Sequence, residues 1–189
     1  VVPDHPATRA KWWGKAESIY ITSYKRENAD NKDARWRFAA GQKEGETGKV
    51  RDIVFSNIIC NSENGIFVGG DKGKVKNIRL QNIQLKIERK TRYPCGLYDL
   101  RPSKKGIIST RTAGYYIQSA SEVWIQNCSL TWGRNLDSGY GNAIYAEHVS
   151  RLNIQGFTGE AAFPEKDRAL VLDNCEQVTG DHPGMLHKN

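Results

Sequence analysis

The chain has 189 residues, of which 38% are apolar and 26% charged, with a formal net charge of +7. One large domain or two small ones fit this length, and no run reaches the ~18 apolar residues of a membrane-spanning helix. With 18 Gly, 6 Pro and 4 Cys, collagen-like and disulfide-scaffold classes are excluded, and dispersed apolar residues argue against disorder.

The surplus of Lys and Arg suits an acidic ligand, whether nucleic acid or acidic polysaccharide. Charge spread along the chain serves solubility equally well. The first residues carry no basic-then-apolar leader pattern, and the chain does not begin with Met. Trp12 and Trp13 fall in a loop before the first periodic segment. Two indoles there serve as a sugar platform or as core filler.

Ile19-Tyr-Ile21 is the first short alternating strand. A longer unit follows at Val50, Ile53, Phe55, Asn57 and Ile58, and its pattern recurs. The second copy is Val75, Ile78, Leu80, Asn82 and Ile83. The third is Ala120, Val123, Ile125, Asn127 and Cys128, and the fourth is Val149, Leu152, Ile154, Gly156 and Phe157. Short strands accompany these copies at Ile66–Val68, Tyr115–Ile117, Ile144–Ala146 and Leu170–Leu172. Successive short strands start 47, 49, 29 and 26 residues apart. The core period is therefore in the mid-twenties, with inserts at Lys25–Lys49 and roughly Glu88–Arg111.

A repeat of this length with period-2 alternation implies stacked coils, because one coil cannot bury its own inward face. No segment carries a useful helical period, and the leucine-rich-repeat frame is missing. The expected fold is all-β: a right-handed parallel β-helix of about five coils with two inserted loops. It runs as one segment over residues 1–189 and forms the C-terminal part of a longer β-helix domain. Asn57, Asn82, Asn127 and Gly156 are expected at left-handed corners. The first coil needs a cover, so we expect preceding coils or another chain over that end.

Paired carboxylates are the natural chemistry to seek. Strands on adjacent coils lie about 4.8 Å apart, within reach of the ~5–9.5 Å separations of glycosidase pairs. Glu17 and Glu63, the latter followed by Asn64, stand just before short strands on neighbouring coils. They suit acid/base or sugar-binding work, or are two solvated acids. Tyr20, Phe67, Tyr116 and Tyr145 face outward as an aromatic row, either for sugar stacking or for packing beneath the inserts. The four Cys and four His show no metal-ligand spacing, and there is no phosphate loop, nucleophile elbow or nucleic-acid motif.

The coils, with KWWGKAESIYIT, VRDIVFSNIICNSENGIF and YPCGLYDLRP, resemble the C-terminal half of family 28 glycoside hydrolases, the polygalacturonase-like enzymes. The resemblance covers about Trp12 to Asn174. It implies inverting hydrolysis of pectic, uronate-containing polysaccharide, no cofactor, no nucleic-acid or membrane partner, and a secreted or periplasmic location. The family's Asn-Thr-Asp, Asp-Asp, Gly-His-Gly and Arg-Ile-Lys motifs are absent here. The chain alone is therefore expected to be inactive. The resemblance puts the active face along the column of Glu17, Glu63 and Asn64. Tyr24 matches a family tyrosine that follows the same strand. Trp12, Trp13 and Arg26, with Arg35 and Arg37, are expected to add stacking and uronate pairing. The other reading is a non-catalytic β-helix module for carbohydrate binding or assembly.

Overall fold

The computed structural model describes residues 17–25, 47–91, 95–100 and 103–181. Trp12, Trp13, Arg26, Arg35 and Arg37 lie outside the described residues. No helix occurs among the described residues, and the chain passes repeatedly between two parallel sheets.

The first sheet has the order β1 (Tyr20–Ser23), β3 (Ile66–Gly70), β7 (Tyr115–Gln118), β10 (Ile144–Glu147), β12 (Leu170–Asp173). The second runs β2 (Val50–Ser62), β4 (Val75–Ile87), β8 (Ala120–Gln126), β11 (Ser150–Gln155), β13 (Glu176–Gly180). A further strand, β9 (Ser129–Trp132), pairs with the far half of β4. The repeat copies align residue for residue: Ile53, Ile78, Val123 and Leu152 form one row, and Phe55, Leu80, Ile125 and Ile154 another. β-branched and aliphatic residues alternating with polar ones favour such strands, since one face is buried and the other wet.

Inward residues of both sheets make one apolar core. Ile78, Leu80, Val123, Ile125, Leu152 and Ile154 are each at most 1% exposed. Ile53 and Phe55, expected inward, are only half-buried. They stand on β2, the edge strand, whose outer side pairs with nothing among the described residues. β2 and β4 are also longer than the expected short strands, each running for 13 residues through its Asn corner.

The corners are left-handed. Asn57, Asn82 and Asn127 have φ of 58°, 52° and 51°, and Gly156 continues the column at 62°. Asn82 donates its side-chain amide to the Asn57 carboxamide oxygen at 2.6 Å. At Gly156 a side-chain carbon would overlap the Asn127 carboxamide oxygen, so any larger residue there would have to turn that amide aside. Two further columns escape the sequence pattern. Asp52, Asn77, Glu122, Arg151 and Gln177 form one, and Ser119, His148 and Asn174 the other, all at positive φ.

The second insert folds as an antiparallel pair, β5 (Leu97–Asp99) and β6 (Ile107–Ser109). It covers the middle of the outward aromatic row. The Tyr98 ring lies 4.9 Å from Phe67 and 5.0 Å from Tyr116, and both of those rings are buried. Packing beneath an insert is thus the fate of the central rings. Tyr20 at one end remains 40% exposed, and Tyr145 at the other is half-buried.

Candidate functional site

Glu17 and Glu63 both stand just before short strands, but their carboxylates take different partners. Glu17 bridges Asn64 on the neighbouring strand entry. The Asn64 amide donates to Glu17 Oε1 at 3.1 Å, and its carbonyl oxygen accepts the Thr112 hydroxyl at 3.0 Å. Thr112 in turn accepts the Gly96 N–H at 2.7 Å. This hydrogen-bonded chain runs through buried Asn64 and Thr112, so the amide is fixed at both ends.

Glu63 turns instead toward the segment after β4. Its Oε2 accepts the Thr91 hydroxyl at 2.7 Å, and its main-chain oxygen accepts the Tyr140 hydroxyl at 3.1 Å. The side chain is 7% exposed, and Oε1 is buried with no hydrogen-bond partner. Glu63 is therefore not a solvated surface acid. The structure brings Glu17 and Asn64 together and takes the Glu63 carboxylate to a separate, enclosed setting. An acid/base pair needs two carboxyl groups flanking one bond, and these two engage different neighbours.

Tyr24 belongs to a second polar cluster, on the outer face of the short-strand sheet. Its ring reaches over Gly69, where a side-chain carbon would lie 2.5 Å from the Tyr24 hydroxyl. Glycine within a strand marks such a close approach. Tyr24 donates to the Gln118 carboxamide oxygen. The Gln118 amide and the Tyr116 hydroxyl both donate to Glu147 Oε1, the latter at 2.8 Å, and the Tyr145 hydroxyl approaches Oε2 at 3.4 Å. The Lys105 ammonium, from the inserted pair, sits 4.9 Å above the Tyr24 ring and 4.0 Å from Asp71. Aromatic faces beside a few fixed polar groups are what a sugar site requires.

Gln118, Glu147, Lys105 and Asp71 were missed from the sequence. Gln118 and Glu147 stand two residues beyond Tyr116 and Tyr145, so strand alternation places them on the same outward face. Lys105 and Asp71 carry no such signal. Among the described residues, no group of three or more His, Cys, Asp or Glu is placed to hold a metal ion.

Burial raises the Tyr24 hydroxyl well above its ordinary value of 10.0, with Tyr20, Asp71 and Glu147 adding to the shift. Burial likewise raises Tyr116, and its hydrogen bond to Glu147 reinforces this. Below the free-tyrosine value both the folded and unfolded states hold these protons. Above it the unfolded state binds fewer protons, so stability falls as pH rises. In alkaline titration, phenolate absorbance should lag behind free tyrosine and then rise together with loss of the native circular dichroism. Full phenolate formation near the free value with the fold intact would contradict this cluster.

No protein-family model, no curated protein and no solved structure matches the chain.

Proposed function

We propose that the chain is the C-terminal portion of a polygalacturonase-like glycoside hydrolase, folded as a right-handed parallel β-helix and acting on pectic polysaccharide. Its catalytic motifs lie outside this sequence, and this portion lines the downstream end of a substrate cleft. The fold reading is supported by residue-matched parallel rows, alternation of the chain between two sheets, and recurring left-handed corners. Parallel crossovers are overwhelmingly right-handed. The observation that carries the functional reading is the Tyr24 cluster. It sets an aromatic ring, an amide and a carboxylate together on the outer face of the short-strand sheet, at the end of β1 opposite the Glu17 entry.

A non-catalytic carbohydrate-binding or assembly module is the second reading, favoured by the separate partners of Glu17 and Glu63. The two are distinguished by the reading frame upstream of Val1 and by an assay. The proposal expects Asp-Asp and Gly-His-Gly motifs upstream, polygalacturonate hydrolysis by the full-length protein, and no reducing-end release by these 189 residues alone. Tyr24→Ala in the full-length enzyme should lower kcat/KM about tenfold, roughly 1.4 kcal/mol of transition-state binding. An upstream frame lacking both motifs overturns the proposal. So does hydrolysis by the isolated chain that Glu17→Gln abolishes.

A further inference from the structure

The long-strand sheet carries its own groove, remote in sequence from Tyr24 and Glu17. Its volume is about 670 Å³, within the range of small-ligand sites. One wall is an outward row on consecutive strands, Ser56, Gln81, Gln126 and Gln155. The other is the corner column of Asn57, Asn82 and Asn127. No charged residue lines it, although a quarter of the chain is charged.

The amides are only partly used by one another. Gln81 donates to the Gln126 oxygen at 2.9 Å, and Asn82 to the Asn57 oxygen at 2.6 Å. That leaves the Gln81 and Asn82 oxygens and the Gln126 and Asn57 amides with capacity to spare. The side chains of Asn127 and Gln155 make no hydrogen bond to another described residue. Donors and acceptors therefore alternate along the groove at the strand spacing of about 4.8 Å. Each sugar hydroxyl both donates and accepts, so a row of paired donors and acceptors suits vicinal hydroxyls.

An aromatic wall adjoins the amides. Trp124 precedes Gln126 by two residues on β8, hence lies on the same face about 6.6 Å along the strand. The indole is half-exposed, with the Arg79 guanidinium 4.6 Å from its ring centre.

We propose that this amide groove, flanked by Trp124, is a binding track for a neutral oligosaccharide. It is independent of the cleft proposed on the short-strand sheet. Its own lining offers hydroxyls many partners and no charge, and the neighbouring Arg79 guanidinium is stacked on the Trp124 ring. The test uses the 189-residue chain labelled with 15N and titrated with neutral xylo-, cello- and galacto-oligosaccharides, and with galacturonate oligomers as the charged comparison. At least one neutral series should shift the side-chain amide signals of Gln126, Gln155 and Asn127. Trp124→Ala and Gln126→Ala should each weaken that binding at least fivefold while leaving the melting temperature within about 2 °C, as surface changes do. The inference is overturned if no neutral oligosaccharide moves these signals at millimolar concentration. It is overturned equally if both variants bind unchanged, or if galacturonate competes for the groove as well as the neutral sugar. None of these outcomes touches the pectin reading, which rests on Tyr24 and the upstream motifs.

Discussion

Ile125→Asp should leave no soluble, cooperatively folding chain. Ile125 is fully buried at the centre of its sheet, between Leu80 on β4 and Ile154 on β11. Removing that side chain from the core forfeits ~1.5–3 kcal/mol. A carboxylate left there without a partner costs several kcal/mol more or forces the strands apart. The two losses together compare with the ~5–15 kcal/mol that holds a domain folded. Trp124→Asp is the parity control, one residue earlier and outward on the same strand, and should remain soluble and fold. Ile53→Asp should be milder than Ile125→Asp, because Ile53 is half-buried on the edge strand and its new charge can reach water. The comparison is read by soluble yield and by the cooperativity of thermal melting followed by circular dichroism. A soluble, cooperative Ile125→Asp variant would show that the inward register is wrong.

That register was legible because the repeat itself encodes it. Aligning Val50, Val75, Ala120 and Val149 by sequence gives the same rows as the strand pairing, down to the corner residue. The Asn corner was equally legible, since Asn adopts positive φ at low cost. The other two left-handed columns were not. Glu122, Arg151, Gln177, Ser119 and His148 give no local signal for φ near 50–60°, and each costs about 1–2 kcal/mol there. Ser119 and His148 stand where the chain passes from the short-strand sheet to the long-strand sheet, whereas Glu122, Arg151 and Gln177 bend the chain within strands of the latter. The three-residue strands β5 and β6 are too short for a pattern and are recognisable only by what Tyr98 covers.

The neighbour of Glu17 was legible to within one residue. The 47-residue offset from Ile19 to Ile66 already sets Asn64, rather than Glu63, opposite Glu17. The fate of Glu63 was not readable, because its partner Thr91 belongs to an insert with no repeat to align it. Tyr24 left one trace: Gly69, a strand glycine whose missing side chain makes room for the phenol.

Gly65→Ala should be strongly damaging although it adds only a methyl near the site. Gly65 lies between Asn64 and the first residue of β3, and its φ is not in the left-handed region, so steric space alone decides the outcome. A side-chain carbon there would overlap the main-chain oxygens of Ala113 and Gly114. Neither can swing away as a flexible side chain would. Gly114 O is held by Ile66 N at 2.8 Å, and Gly114 N donates to Asn142 O at 3.0 Å. The added methyl must therefore separate two strand entries and break the Glu17–Asn64–Thr112 chain. A loss of about 3 kcal/mol is expected, the upper end of ordinary overpacking. Gly73→Ala supplies the contrast: its φ is 76° but the space around it is open, so only the conformational cost of about 1 kcal/mol applies. Urea unfolding of both variants checks the difference. Equal losses would mean that the strand entries at Gly65 and Gly114 are not in contact and that Asn64 does not join Glu17 to Thr112.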